Sequence, residues 1–203
     1  MKEYPTIPKV ATKESVYVFD KLDGSNIRAE WTPKKGFTKF GRRHGLLDDS
    51  NPTLKEAPDL FMARYGDELS RRFKDERYEL ATAFMEFYGP NSFAGNHEVE
   101  PHEVLVFDIH VFKEGILSPK DFLDVCAGLP TPNLLHHGVV TADVVEAIRN
   151  STMPGMTFEG GVAKGSFSQK CGGPTMFKLK SQAWFDRLRQ HCKGDEKLFE
   201  LLS

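Results

Sequence analysis

Residues 16–24 read VYVFDKLDG, an apolar run that leads directly into a charged turn. The β-branched and aromatic side chains of Val16–Phe19 predict a strand, and the Asp-Gly pair that follows predicts a turn. Lys21 lies at this junction, where a lysine is costly to bury and is normally paired or used chemically. Desolvation or neighbouring cations would lower its pKa and free its amine for nucleophilic attack. A lysine exposed in a turn explains the same residues, so the pattern alone leaves both interpretations open.

The rest of the chain predicts an α+β fold with mainly antiparallel strands. Alternating or β-rich composition predicts further strands over Asn26–Trp31, Phe37–Phe40, Glu79–Tyr88, Val104–Phe112, Phe158–Lys164 and Thr175–Lys180. Helical periodicity and capping signals predict helices over Asp59–Asp75, from Ser118 onward, over Thr141–Arg149 and over Ser181–Cys192. Gly66 lies inside the first helix, where glycine is unfavourable. Without an internal repeat or linker, we expect one domain over residues 1–203.

The composition is that of a globular protein, since 39% of the 203 residues are hydrophobic and 28% are charged. No stretch approaches the roughly 18–20 apolar residues of a membrane span, and the N-terminus lacks the apolar region of a signal peptide. We therefore expect a cytoplasmic protein, in the host cytoplasm if a phage encodes it, with no membrane partner.

The three cysteines are too far apart for a paired-cysteine metal site and odd in number for a disulfide framework; they are Cys126, Cys171 and Cys192.

The net charge of −2 conceals an uneven distribution. Residues 1–50 hold 10 basic and 7 acidic side chains, residues 76–158 hold 4 and 12, and residues 159–197 hold 8 and 4. If the two basic ends meet in space, they form a local anion-binding surface that the overall charge hides. On charge alone, ordinary surface scatter explains these counts at least as well.

Residues 158–164, FEGGVAK, place a carboxylate beside two glycines. Adjacent glycines weaken a strand and often mark the close approach of a ligand. Glu159 is therefore a candidate Mg²⁺ ligand, directly or through water, although a surface glutamate on a glycine-rich edge strand is the alternative. Strict alternation predicts that Glu159 and Lys164 point to opposite faces unless the glycines distort the strand.

Lys178 and Lys180 are two residues apart in a predicted strand, so both side chains extend from one face while Phe177 and Leu179 face the core. Two neighbouring ammonium groups repel each other unless an anion such as phosphate lies between them. A solvated strand face is an equally good explanation of this pair.

Three more residues suggest contacts with a nucleotide. Glu86 lies in an apolar run and needs a partner, such as a ribose hydroxyl or an internal arginine. Phe107 could stack on a base, although an aromatic residue on so apolar a strand more often packs in the core. Arg43 belongs to a basic turn that suits phosphate or ribose contact.

In this order and at these distances, the clusters resemble the motif series of the covalent nucleotidyltransferases. The matching segments are the nucleophile motif at Lys21-Leu22-Asp23-Gly24, the ribose-contacting carboxylate at Glu86, the base-stacking motif at Phe107-Asp108, the EGxVxK motif at Glu159–Lys164 and the KxK motif at Lys178-Leu179-Lys180. Within this superfamily the chain is most similar to the nick-sealing, phage-type RNA ligases. The details that support this branch are Asn26, the Arg43-His44-Gly45 turn, the Gly-Pro pair after Glu86, and the Val-Phe-Asp-Ile sequence around Phe107. The resemblance extends from about residue 14 to residue 190.

The resemblance implies a nucleotidyltransferase (ATP-grasp-like ligase) domain of mainly antiparallel sheets with flanking helices. It also implies an ATP-dependent polynucleotide ligase, with RNA as the expected substrate and Mg²⁺ or Mn²⁺ as the metal. Lys21 would attack the α-phosphate of ATP to form lysyl-AMP. AMP would then pass to a 5′-phosphate end, and a 3′-hydroxyl would displace it and seal the nick or break.

By the same resemblance, the site residues receive individual roles. Glu159 would hold the metal ion, and Lys178 and Lys180 would neutralise the phosphate. Phe107 would stack on adenine. The remaining nucleotide contacts would come from Leu22, Asn26, Arg43, Glu86 and Lys164.

Two departures from the family pattern leave the substrate open. Only 23 residues follow Lys180, whereas polynucleotide ligases usually carry a further C-terminal domain, so a partner protein could replace it. We also see no nicotinamide-recognition module, which favours ATP over NAD. The alternatives are an ATP-dependent DNA ligase core and a self-adenylylating AMP-binding module that needs a partner to seal.

Overall fold

The computed structural model describes residues 1–5, 7, 13–48, 52–90, 101–168 and 173–202, and the structural statements below concern these residues. Their contacts divide them into two compact units. The first unit takes its described residues from Met1–Thr6, Gly24–Ser92 and His97–Thr131, and the second from Ile7–Asp23 and Pro132–Ser203. Cys171, one of the three cysteines considered above, lies outside the described residues.

Nine strands and six α-helices form the described part of the chain. The strands are β1 Ser15–Lys21, β2 Ser25–Thr32, β3 Gly36–Arg42, β4 Ala81–Tyr88, β5 Glu103–Val111, β6 Gly115–Ile116, β7 Leu134–Val139, β8 Gly160–Ser168 and β9 Gly173–Lys180. The helices are α1 Ala57–Phe61, α2 Asp67–Asp75, α3 Pro119–Val125, α4 Ala142–Arg149, α5 Gln182–Cys192 and α6 Glu196–Leu202. A 3₁₀ turn covers Pro52–Leu54, and a π-helical segment covers Met62–Gly66.

The first unit is built on a five-stranded antiparallel sheet with the order β3-β2-β4-β5-β6. One face of the sheet packs on the helical cover, and the central strands β2 and β4 are buried on both faces over residues 27–31 and 81–85. The residues that form this core face and its helical cover include Ile27, Ala29, Trp31, Phe61, Leu69, Phe73, Ala83 and Met85. The helical cover runs through α1, the π-helical segment and α2 without a break, and Gly66 ends the π-helical segment. The opposite face, called the polar face below, bears mostly polar side chains together with Phe84; they include Asn26, Arg28, Glu30, Thr82 and Glu86.

The second unit is built on a four-stranded antiparallel sheet with the order β7-β1-β8-β9. Its core face packs on α4 through a cluster of buried residues, which are Val16, Val18, Ile148, Ala163 and Phe177. Leu179 packs against the same cluster, so Phe177 and Leu179 face the core, as the sequence predicted. A second cluster of Trp184, Leu188 and Cys192 holds α5.

The predicted α+β fold with antiparallel strands is confirmed, and so are the predicted strands and helices. β6, β7 and α6 were not predicted from the sequence. The half-exposed sequence of β7, LLHHGV, lacks clear alternation, and β6 has only two residues. Within the described residues, no helix is long and apolar enough to cross a membrane.

Candidate functional site

A cluster of three charged side chains lies at one end of the second unit's sheet. Lys21 ends β1, Lys180 ends β9, and Glu159 directly precedes β8. The Lys21 Nζ donates a hydrogen bond to Glu159 Oε2 at 2.7 Å, and the Lys180 Nζ donates to Glu159 Oε1. The side chains of Lys21, Glu159 and Lys180 are 20%, 5% and 9% exposed, respectively. The fold therefore brings together three of the four residues that the sequence predicted to be catalytic.

Strand pairing explains why these side chains meet. Lys21 pairs with Gly160 across β1 and β8, and Gly160 pairs with Lys180 across β8 and β9. Directly paired residues share a face, so both lysines extend from the same face on either side of β8. Gly160 has a φ of +135°, and a Cβ at this position would lie 2.0 Å from the carbonyl oxygen of Leu179. A side chain here would force β8 and β9 apart beneath the cluster.

Gly160 also resolves the question of where Glu159 points. Strict alternation predicted that Glu159 and Lys164 lie on opposite faces unless the glycines distort the strand. Glu159 stands outside β8, next to the left-handed Gly160, and its carboxylate binds the two lysines. Lys164 pairs with Tyr17 and shares the face of Lys21. The structure therefore adopts the distorted arrangement that the glycines allow, and Glu159 does not follow strict strand alternation.

The segment before Gly160 is fixed from two sides. Asp20, next to Lys21, accepts a hydrogen bond from the backbone N–H of Thr157 at 3.0 Å through Oδ1. Ser181, next to Lys180, donates its hydroxyl to the Phe158 carbonyl at 2.7 Å and its backbone N–H to the Glu159 carbonyl at 3.0 Å. Each lysine of the cluster thus has a neighbour in sequence that holds the backbone leading to the shared carboxylate.

Lys180 is in an unusual environment for an ammonium group. Its Nζ lies 3.2 Å from the centroid of the Trp184 ring, in the first turn of α5, in the geometry of a cation–π contact. Burial, together with the positive charges of Lys21 and Lys178, lowers the pKa of Lys180 to about 8 against the opposing attraction of Glu159. The charge of Lys180 therefore depends on pH near neutrality and on any anion that binds beside it.

Two further lysines share this face of the sheet. Lys178 pairs with Val162, and Lys164 is buried with its Nζ 5.0 Å from the centroid of the Phe19 ring. With Lys21 and Lys180, they place four lysine side chains on the face toward which the Glu159 carboxylate is directed. An anion bound on this face would be attracted by these lysines. The second unit contains little of the basic N-terminal region, since residues 7–23 hold three lysines and three acidic side chains.

The carboxylate of Glu159 fits only a metal that is shared with a substrate. No group of three or more histidine, cysteine, aspartate or glutamate side chains in the described part of the chain is arranged to hold a metal ion. Both oxygens of Glu159 accept hydrogen bonds from ammonium groups. Mg²⁺ commonly binds through one or two carboxylates together with substrate phosphates. One glutamate is enough for such a shared site, but it is too few for a site made of protein ligands alone.

The other predicted residues belong to the polar face of the first unit's sheet. Asn26 on β2 pairs with Glu86 on β4, so their side chains lie side by side. The Oδ1 atom of Asn26 is buried and accepts no hydrogen bond within the described residues. A buried acceptor is costly unless a donor reaches it, so this position suits a ligand that brings a hydroxyl or amino group.

Phe107 is the extra residue of a β-bulge. Phe84 on β4 pairs with Asp108 on β5, while the next residue, Met85, pairs with Val106. Phe107 is thus skipped by the ladder and is half-buried, whereas Asp108 beside it is 1% exposed. Bulges redirect a side chain away from the regular alternation, which is compatible with an aromatic ring presented to a ligand.

The remaining predicted contacts are Leu22 and Arg43, and Gly24 lies close to Leu22 in the sequence. Leu22 is buried. Gly24 lies at a bend, as the sequence predicted, and a Cβ there would lie 2.3 Å from the carbonyl oxygen of Phe87, so glycine is also needed for close backbone approach. Arg43 is exposed in a turn that Arg28 ties down.

Four residues with a role in this geometry were missed from the sequence: Tyr4, Asp20, Ser181 and Trp184. Asp20 and Ser181 flank the two lysines of the cluster, and that adjacency was the available signal. Trp184 lies three residues after Ser181, whose Oγ accepts its backbone N–H at 3.0 Å as an N-cap. Tyr4 and Phe107 are far apart in the sequence, and no sequence pattern connects them.

Comparison with known proteins gives one family and a set of similar folds. The sequence model of the RNA ligase family matches residues 14–180. A search of curated proteins finds no match to the sequence. The chain is similar in fold to a candidate ATP-dependent DNA ligase from Aquifex aeolicus, with a TM-score of 0.66 and 17% identity over 97% of this chain and 55% of that one.

Two RNA ligases have similar folds as well. An archaeal ATP-dependent RNA ligase gives a TM-score of 0.65 and 18% identity over 95% of this chain and 52% of that one. A Naegleria gruberi RNA ligase, solved with ATP and Mn, gives a TM-score of 0.59 and 16% identity over 86% of this chain and 51% of that one. The chain thus spans about half the length of the solved structures it matches. These likenesses confirm the predicted nucleotidyltransferase-type fold.

Replacing Gly160 by alanine should destabilise the protein more than the same change at Gly138. Both glycines have left-handed φ values, +135° and +144°, so alanine costs about 1–3 kcal/mol of backbone strain at either position. Alanine at 160 also meets the Leu179 carbonyl at 2.0 Å, whereas at 138 the nearest atom is the flexible His136 side chain at 3.3 Å. Denaturant unfolding of both variants checks this, and equal losses would refute the close-approach argument.

Proposed function

Because this chain belongs to the RNA ligase family, we propose that it is an ATP-dependent polynucleotide ligase whose nucleophile is Lys21. The observation that supports the proposal most directly is the cluster of Lys21, Glu159 and Lys180 at the end of the second unit's sheet. It combines a partly exposed amine, a carboxylate that orients it, and a second cation positioned for phosphate.

In the first step, the neutral amine of Lys21 attacks the α-phosphorus of ATP. A nitrogen–phosphorus bond forms, the bond to the bridging oxygen breaks, and pyrophosphate leaves with the electron pair of that bond. The lysine ammonium loses one proton before the attack and a second from the new phosphoramidate nitrogen. The hydrogen bond to Glu159 Oε2 orients Nζ beforehand, and it must be released as the amine turns to phosphorus.

Lys180 and Lys178 are assigned to the phosphate oxygens, on which charge develops as the leaving group departs. Both lysines share the face of Lys21 through the register of β1, β8 and β9. Lys164 on the same face is assigned to the phosphate chain of the nucleotide or of the nucleic-acid end. Mg²⁺ or Mn²⁺ would be held by Glu159 together with the nucleotide phosphates, and a divalent ion there supplies charge neutralisation.

The base and ribose contacts are assigned to the first unit. The unpaired Oδ1 of Asn26 would accept from a ribose hydroxyl, with Glu86 beside it as a second acceptor. Phe107 would stack on adenine, and Arg43 would contact phosphate or ribose. Leu22, which belongs to the second unit and is buried, would line the nucleotide site. The two later steps transfer AMP to a 5′-phosphate end and join that end to a 3′-hydroxyl with release of AMP.

Replacing Lys21 by alanine should abolish transfer of label from α-labelled ATP to the protein, because no other side chain takes over the phosphoramidate. Lys21→Arg should be equally inactive, since guanidinium stays protonated. The matched control is Lys197→Ala, which removes an exposed lysine of α6 in the same unit and should label normally. Covalent labelling that survives in Lys21→Ala would refute the assignment of the nucleophile.

Nucleotide binding should be coupled to protonation of Lys180. Its pKa of about 8 leaves about half of the molecules neutral at that pH, and a phosphate anion alongside raises the pKa. AMP binding to the wild type at pH 8 should therefore take up about half a proton at most, measured by calorimetry in buffers of different ionisation enthalpy. Lys180→Arg keeps the charge without titrating, so its uptake should largely vanish. Equal uptake by both proteins would contradict the assignment.

The substrate is tested by sealing of nicked duplexes that differ only in the sugar at the 3′-hydroxyl end. We expect faster joining with ribose than with deoxyribose, and the opposite preference would favour the DNA ligase alternative. A pre-adenylylated nick separates sealing from self-adenylylation. Normal labelling of Lys21 without joining of that substrate would favour an adenylylating module that needs a partner protein.

A further inference from the structure

The segment Lys2–Tyr4 lies on the polar face of the first unit's sheet. The Arg28 guanidinium, whose side chain is 4% exposed, donates through Nη1 to the Lys2 carbonyl at 3.0 Å. Its Nη2 donates to the Gly45 carbonyl at 3.3 Å, in the turn that contains Arg43. One buried arginine therefore ties both the N-terminal segment and the basic turn to this face.

Tyr4 packs directly beside the proposed base-stacking residue. Its ring centroid is 5.0 Å from that of Phe107 with the planes at 87°, and 5.0 Å from that of Phe84 with the planes at 63°. Its hydroxyl donates to Asp108 Oδ2 at 2.5 Å. Burial and the neighbouring Asp108 carboxylate raise the pKa of Tyr4 well above its usual range, so the hydroxyl remains a donor.

Phe107 has a particular need for such support. Because the ladder between β4 and β5 skips Phe107 at the bulge, its side chain departs from the regular alternation that places Phe84 and Asp108. A base stacks well only on a ring held in a defined plane. An aromatic ring packed nearly perpendicular to Phe107, and anchored at its far end on Asp108, supplies that constraint.

We propose that Tyr4 is a positioning residue that fixes the plane of Phe107 for stacking on the nucleotide base, with Arg28 holding the segment in place. The inference rests on the proposed function through the assignment of Phe107. Tyr4 acts through Phe107 and Asp108, so its removal affects nucleotide affinity and not the chemistry at Lys21.

The test compares Tyr4→Ala, Tyr4→Phe, Phe107→Ala and the double variant Tyr4→Ala/Phe107→Ala. Labelling with α-labelled ATP over a range of concentrations gives kcat and KM, and calorimetry gives the Kd of AMP. Tyr4→Ala should raise both KM and Kd about three- to tenfold, the typical value of an aromatic pair, with kcat little changed. Tyr4→Phe keeps the ring and should recover most of the affinity. The double variant should bind no worse than Phe107→Ala alone, because Tyr4 has no effect without its partner.

The control is Tyr78→Ala, which removes an aromatic contact with Phe73 elsewhere in the first unit and should lower only the melting temperature. A Tyr4→Ala protein that behaves like this control, binds ATP more tightly, or adds its effect to that of Phe107→Ala would overturn the inference. If Phe107→Ala itself leaves KM unchanged, the base-stacking assignment fails first, and the inference with it. If Phe107→Ala raises KM and Tyr4→Ala does not, only the inference fails.

Discussion

The shared carboxylate of Glu159 is the interaction on which the second unit's arrangement depends. Two ammonium groups converge on one largely buried carboxylate, and a buried ion pair is tolerated only when its geometry is well supported. The support is visible in Gly160, which lets β8 and β9 approach, and in Asp20 and Ser181, which hold the backbone before Glu159. Each of these residues helps to place the Glu159 side chain.

The lysines around Glu159 would respond to a nucleotide bound as in the proposed function. Lys164 and Lys178 lie on the same face as Lys21 and Lys180, and burial lowers the pKa of Lys180. A phosphate bound there would compete with Glu159 for the lysines and so help to free Lys21. Ligand binding and the release of Lys21 from Glu159 would then follow from the same electrostatics.

The sequence predicted the features that follow from periodicity and motif spacing, and missed those that depend on tertiary contacts. Alternation placed Lys178 and Lys180 opposite Phe177 and Leu179 correctly, because a two-residue period is a local property. The direction of Glu159 was left conditional, since it depends on the left-handed Gly160. β7 and the contact of Tyr4 with Phe107 had no local signature.

In the proposed function, the two units would face different physical problems. The second unit would bind charge, which acts over several ångströms and tolerates small displacements of the lysine ends. The first unit would have to recognise a flat ring and a ribose, for which van der Waals contact and hydrogen-bond direction matter at the scale of a few tenths of an ångström. Because Phe107 lies at a bulge, the plane of its ring depends on the side chains packed around it. Tyr4 is one of these side chains, and it is itself anchored by Asp108 and by the segment that Arg28 holds.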